Sequence, residues 1–454
     1  MIVQANQTIK PLLIFIVIGF FFPGCRKEID VPLKIDFEYS VIDNNYNVPV
    51  RIVFINKTSG ALFYKWTFPT ADVTGSNYKD PGYITFTQPG PITVKLEAWN
   101  DYDRDEKTIQ IVLDTLPVAN FSAVPRLNNY APVEWDFNFT GQGATRFKWS
   151  FENGSVTTST DRNPRQILYS LPGVYKVVLE IFNDRNKADS LTKFITVKPP
   201  LNASFDILPS FDDDDFEVPF TAQLDNHTIS AVSHRWEATG GNFSNATDSI
   251  PTVQFTTPGT HTITYTATNG KQTQVVSKSI TLYPNSNLRT FSNVKLGINT
   301  AHQTTGSFFS TYLRKVIKKD SVNAVNGPHI DICYFGLSQS FSFNKFLSPR
   351  DVQNWTFDPI PGARDNVVIN KQEDCSCGIN VTPAQFETIS NGSFFDGLSI
   401  VQTTGGLSDF DNTLVPRVIL FKNAAGRKGA IKISRFVDDG ANSYLLCDIK
   451  IQKE

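Results

Sequence analysis

Positive charge is not in surplus in this chain. Its 42 Lys and Arg stand against 44 Asp and Glu, for a net charge of −2, and no basic run occurs. Nucleic acid needs a positive footprint and is set aside as a partner. Histidines number five and are scattered, at 227, 234, 261, 302 and 329. Gly-x-Ser-x-Gly, His-Glu-x-x-His and phosphate-loop patterns are all missing, so the common esterase, zinc-protease and nucleotide chemistries have no foothold. No cofactor or metal is expected, and no catalytic residue can be named. A glycosidase needs only two carboxylates, but the one non-repetitive region is small for such an enzyme. Methionine appears once, at position 1. The apolar run Leu12 to Phe22 has eleven residues, against about 20 needed to span a bilayer.

What the chain does have is a spacing that recurs three times. A Pro beside a Val is followed 17 residues later by a Trp: Pro49 to Trp66, Pro132 to Trp149, Pro219 to Trp236. A Pro-Gly pair comes 22 or 23 residues after each Trp, ending at Gly90, Gly173 and Gly259, and an Asn ten residues later, at Asn100, Asn183 and Asn269. Between Gly and Asn the apolar residues alternate: Val94, Leu96, Ala98; Val177, Leu179, Ile181; Ile263, Tyr265, Ala267. Period two is a strand with one buried face, and Asn ends it in a turn. Further strands are expected at Thr108 to Val112, Phe194 to Val197 and Ser279 to Leu282. Trp66, Trp149 and Trp236 at a fixed place in short alternating strands read as the plug between two sheets.

These residues carry a resemblance. Trp66-Thr67-Phe68, Trp149-Ser150-Phe151-Glu152-Asn153-Gly154, Asn163-Pro164 and the Pro-Gly strands resemble tandem PKD (polycystic kidney disease) domains, which are immunoglobulin-like sandwiches. The third copy departs from the pattern with Trp236-Glu237-Ala238, and no copy keeps the full Gly-Asp-Gly turn. The likeness implies extracellular spacers or contact modules. The expected fold class is all-β: three tandem sandwiches at 33–114, 115–198 and 199–283, then a mainly-β domain at 284–454 with one or two short helices. Pro-rich joints, Leu116-Pro117 and Pro199-Pro200, favour a semi-rigid arrangement.

Lys10, the apolar run and Gly24-Cys25 have the form of an export signal and resemble a bacterial lipoprotein signal. Residues 1–24 are then the signal, Cys25 the lipidated first residue and 25–32 a tether. Arg26-Lys27-Glu28-Ile29-Asp30 resembles the surface-export signal of Bacteroidota lipoproteins, and Asp114-Thr115-Leu116 resembles the O-glycosylation triplet of that phylum. The resemblance implies an outer-membrane protein facing outward.

In the C-terminal region strands are expected at Ile330 to Phe335, Val418 to Phe421, Ala430 to Val437 and Tyr444 to Ile451. Thr382-Pro383-Ala384-Gln385 reads as a helix start with a capping box, and Ser348 to Asp351 as a shorter helical turn. Cys375-Ser376-Cys377 has no His near it in sequence, so a zinc site is not indicated, and for Cys333, Cys375, Cys377 and Cys447 free or strand-buried thiols are favoured over disulfides. Asp101, Asp103 and Asp105, and the run Asp212 to Asp215, could offer oxygens to Ca²⁺, but without the loop Gly and distal Glu they read as solvated turns. The functional expectation is a non-catalytic surface-anchored lipoprotein whose repeats space a distal ligand-binding domain. Polysaccharide is the first ligand class, with adhesion to a protein partner the alternative and an accessory enzyme third. Aromatic residues that could stack on sugar are Trp355, Phe346, Tyr334 and, in an outward register beside a turn, Trp99.

A sandwich of this size has roughly 4–12 kcal/mol of stability, and removing a buried Trp costs about 3–5 kcal/mol. Trp149→Ala is therefore expected to melt the second copy separately and early. A calorimetric trace unchanged from wild type would refute this.

Overall fold

The computed structural model describes residues 31–453 apart from 187, 338, 376–379, 411, 412 and 414. The signal segment, Cys25 and Cys377 lie outside the described residues. The chain divides into two compact units, one running to 201 and including 269–272, the other comprising 202–268 and 273–454.

In the first unit each repeat forms a two-sheet sandwich. Phe37–Val41, Val50–Asn56 and Tyr83–Phe86 make one sheet of the first copy. Gly75–Ser76, Phe63–Thr67, Gly90–Trp99 and Arg104–Leu113 make the other. The second copy repeats this with Phe121–Pro125, Val133–Phe139 and Ile167–Tyr169 against Thr158–Ser159, Arg146–Phe151, Gly173–Phe182 and Ala188–Val197. The strands after each Asn turn are longer than their apolar signal. Their first halves, such as Arg104 to Lys107, are polar and mostly exposed, so alternation marks only the end that faces the core. The repeat prolines Pro49, Pro132 and Pro219 all follow cis peptide bonds.

Trp66, Trp149 and Trp236 are fully buried between the sheets. Each indole N–H donates to the carbonyl twelve residues on: Tyr78 at 3.2 Å, Asp161 at 2.9 Å and Asp248 at 2.9 Å. That satisfies the one polar atom a buried Trp carries. Phe37 and Phe121 meet Trp66 and Trp149 edge-on at 4.9 and 5.0 Å. The Phe two residues after each of these Trp stacks on it, Phe68 at 5.8 Å and Phe151 at 5.9 Å. In the third copy Ala238 occupies that place, and the cross-strand partner is Tyr265 where the other copies have Leu96 and Leu179. The Tyr265 ring stacks on Trp236 at 4.1 Å. The aromatic volume lost from one strand is thus restored from its neighbour, as a core at crystal-like density requires.

The second unit holds this third sandwich and the C-terminal domain. Its short strand Gly241–Phe243 pairs with Thr252–Phe255, on the sheet opposite Trp236, rather than with the Trp strand as in the other copies. A Cβ on Gly241 would meet Phe255 at 2.7 Å, so the crossing needs glycine there.

The C-terminal domain stacks two sheets. One orders Leu288–Gly297, Tyr444–Gln452, Lys428–Val437, Arg417–Lys422 and Val367–Ile369; the other orders Lys315–Ile317, Phe308–Ser310, Ile332–Phe335 and Lys345–Leu347. Leu296, Ile419, Ile431, Leu445 and Ile449 of the first pack with Phe309, Ile332, Tyr334 and Phe346 of the second. The helix Pro383–Thr388 has its capping box, Thr382 with Gln385, and packs Phe386 with Val418 and Leu420 in a further apolar cluster. Ser348 to Asp351 forms a turn, the Asp351 amide donating to the Ser348 carbonyl at 2.9 Å, and leads into the 3₁₀ segment Val352–Asn354. Cys333 and Cys447 are buried free thiols, whereas Cys375 is disulfide-bonded, which corrects the expectation of free thiols at that residue.

Lys450 is nearly buried, and its ammonium donates to the carbonyls of Phe386 at 2.9 Å, Glu387 at 3.3 Å and Ile389 at 2.7 Å. It closes the C-terminal end of the helix, where carbonyls lack partners and a cation is favoured. Lys450→Met keeps the stem and removes the donors. It should destabilise the C-terminal domain by about 3 kcal/mol, read from denaturant melts. A change below about 0.5 kcal/mol would mean that water replaces the ammonium.

Candidate functional site

The acidic run Asp212 to Asp215 is a turn with Asp212 and Asp214 exposed, as expected, but it is not merely solvated; no group of metal-binding side chains occurs among the described residues. It meets three cations of the C-terminal domain inside the second unit. Arg289, the second residue of the strand Leu288–Gly297, pairs with Asp214 at 2.8 Å and Asp215 at 3.3 Å. Arg314, in the hairpin turn between Phe308–Ser310 and Lys315–Ile317, pairs with Asp212 at 3.1 Å and Asp214 at 2.8 Å. Lys453, beyond the last strand, pairs with Asp215 and Glu217, each at 2.7 Å. Arg314 also lies over the Phe211 ring at 4.0 Å. The cations are largely buried while Asp212 and Asp214 stay open to solvent. Ser286 adds two hydrogen bonds to Glu217, from its amide at 2.8 Å and its hydroxyl at 3.0 Å. Shared charges in a partly buried network are worth more than the near-zero of an isolated surface pair.

Beside this clamp is a cleft of about 420 Å³, lined by both the third sandwich and the C-terminal domain. Its volume falls within the range of about 300–1,000 Å³ typical of ligand sites. Thr311, Tyr312 and Arg427 line it and also line an adjoining cavity of about 210 Å³ with His329, Asp331, Arg364 and Asn423. Burial pushes the Asp331 carboxyl above its ordinary value, although Thr311 and Asn423 hydrogen-bond to it.

The aromatic residues singled out from the sequence lie elsewhere. Tyr334 and Phe346 are fully buried in the C-terminal core, so neither ring offers a face to a sugar, because the strands that bear them lie between two apolar layers. Trp355 is 39% exposed, but its ring is tilted against Phe335 at 4.8 Å and the Lys345 ammonium is 5.0 Å from its centre. Trp99 does lie in the outward register. It stacks on Phe63 at 5.7 Å, and Arg104 covers it at 5.1 Å, making a ladder across three strands. Asp101 and Asp103 are exposed in the turn beside it, where the side chain of Asn100 holds the amides of Tyr102 and Asp103, and Asp105 is exposed in the strand that follows. Tyr312 and Arg427 carried no sequence signal, since both occupy hairpin turns without a motif.

In the first unit the joint between the first two sandwiches is also fastened. Arg185, in the turn after Asn183, donates to Asp114 at 2.8 Å and to the Val112 carbonyl at 3.0 Å. Its guanidinium lies 3.7 Å from the centre of the Tyr46 ring, and Asn183 donates to Asn47 at 2.9 Å.

No protein-family profile and no curated protein matches this chain. Solved structures do. It is similar to a DUF4466 family protein from Parabacteroides merdae, with 12% identity over 75% of this chain and 100% of that one and a TM-score of 0.25. It is similar to a tetra-tandem repeat in the extending region of a large adhesion protein, with 12% identity over 92% and 98% and a TM-score of 0.23. It is also similar to the extracellular cadherin domains 1–4 of protocadherin gamma B7, with 13% identity over 54% and 71% and a TM-score of 0.25. Scores this low carry no argument about function, which therefore rests on the residues of this chain.

Burial pushes the Asp215 carboxyl up, but Lys453, the Glu217 amide and Arg289 more than offset this and hold it below its ordinary value. A carboxyl lowered by folding contributes stability that is present above its unfolded pKa, about 3.9, and is lost as pH falls through the lower folded value. The melting temperature should therefore drop more steeply below about pH 4 in wild type than in Asp215→Asn. Equal acid sensitivity would show that this carboxylate contributes nothing to the clamp.

Proposed function

We propose that the chain is a non-catalytic, surface-displayed binding protein. Lipid at Cys25 anchors it to the outer membrane, the sandwiches act as spacers, and the C-terminal domain presents a ligand surface for polysaccharide. The observation that carries this reading is that neighbouring domains within each unit are fastened rather than loosely tethered, by Arg185 on Asp114 and Tyr46 in one and by the Asp212–Glu217 clamp in the other. Fastened joints let a spacer set the position of what it carries. The cleft acids support the non-catalytic part: Asp212, Asp215 and Glu217 are held by cations, and Asp213 accepts from the Thr221 amide. None is poised as a general acid or base.

A second reading, adhesion to a protein partner, is supported by Leu62, Phe63 and Tyr102, which are exposed beside Trp99 on the first sandwich. Apolar patches of this kind mark contact surfaces.

Expressed with its own N-terminus in a Gram-negative host, the chain should fractionate with the outer membrane and be cut by protease added to intact cells. Cys25→Ala should release it to the soluble fraction. Wild-type protein found in the soluble fraction would overturn the anchor.

A further inference from the structure

The hairpin turn between Arg417–Lys422 and Lys428–Val437 is closed by Asn423. Its side-chain oxygen accepts the amides of Ala425 at 3.1 Å and Arg427 at 3.0 Å, and its side-chain nitrogen donates to Asp331 at 3.3 Å. The turn therefore fixes the backbone of Arg427. Its guanidinium, half-buried, makes no hydrogen bond or close ion pair among the described residues and acts on the Asp331 carboxylate only through space; Arg364, which is exposed and also lines the smaller cavity, makes no such bond either. Every other cation lining the cleft and its adjoining cavity is engaged: Arg289, Arg314 and Lys453 all belong to the clamp. Two unpaired guanidiniums over one cavity leave it positive, with Asp331 the one carboxylate lining it.

Between the two cavities stands Tyr312. One face of its ring stacks on His329 at 4.4 Å and 18°, yet the residue is 53% exposed. A ring backed on one side and open on the other is a surface for the CH face of a sugar. A free guanidinium beside it is a fork that takes a carboxylate through two parallel hydrogen bonds.

We propose that Tyr312, Arg427 and Arg364 form a binding site for an acidic sugar residue, a uronate within a polysaccharide, with the pyranose ring on Tyr312 and its carboxylate on Arg427. The site rests on the polysaccharide reading above and narrows it to carboxylated polymers. The larger cleft, running past the clamp, would take the neighbouring residues of the polymer.

The test is affinity electrophoresis of the full chain in gels containing polygalacturonate, its methyl ester, or neutral polysaccharides. Polygalacturonate should retard wild type and its ester should do so much less. Arg427→Gln should weaken apparent affinity by about tenfold, the scale of one charge-assisted contact, with the fold retained because the guanidinium makes no hydrogen bond or close ion pair and touches Asp331 only through space. Tyr312→Ala and Arg364→Gln should weaken it as well. Equal retardation by acid and ester, or full retardation of Arg427→Gln, would overturn the site while leaving polysaccharide binding standing. No retardation by any polymer would overturn both.

Discussion

The second unit depends on one electrostatic constraint. Three cations, two near the start of the C-terminal domain and one at its end, must find four carboxylates clustered between Asp212 and Glu217 of the third sandwich. Arg289 reaches back 75 residues to Asp214, and Lys453 reaches back 236 residues to Glu217. The strand that carries Arg289 pairs with the strand that ends just before Lys453, Leu288 opposite Gln452, so one end of the sheet delivers both charges to the same place. Removing one partner from such a network leaves largely buried cations uncompensated, which is why the arrangement resists piecemeal loss. Because the clamp holds the third sandwich against the C-terminal domain, a cleft lined by both can have a defined shape.

The repeats obey a different constraint, the filling of a thin core around the Trp at the fixed repeat position, with Trp135 added in the second copy. The first two copies use the Phe two residues along the strand; the third substitutes Tyr265 from across the ladder. The departure of the third copy from the repeat pattern is therefore repacking and not loss of the sandwich. The hydroxyl of Tyr265 also finds the ring of His234 at 2.6 Å, so the added polar atom is satisfied.

Much of the sandwich architecture was legible because its signals are local: period-two alternation, a Trp at fixed spacing, a Pro-Gly before the longest strand. The capping box at Thr382 was legible for the same reason. The first strand of the C-terminal domain, Leu288–Gly297, was not. A bulge between Phe291 and Val294 shifts its register, with Asn293 at φ 56°, and this breaks the alternation that would have announced it. The acidic run was legible as a feature but not as a clamp, because its partners are remote in sequence. Tyr334 and Phe346 were attractive by residue type alone, and burial removes them; Tyr312 is exposed only because a hairpin turn lifts it between two cavities. Residue type marks what a side chain can do, and tertiary placement decides whether it has the chance.

The account turns on the third sandwich and the C-terminal domain behaving as one body. Differential scanning calorimetry of the full chain with Arg289→Ala and Arg314→Ala together tests this directly. If the clamp joins the two, residues 202–454 of wild type unfold in one cooperative transition and the double variant splits it into two. If the thermograms of wild type and variant show the same transitions, the clamp is incidental and the cleft beside it has no fixed form.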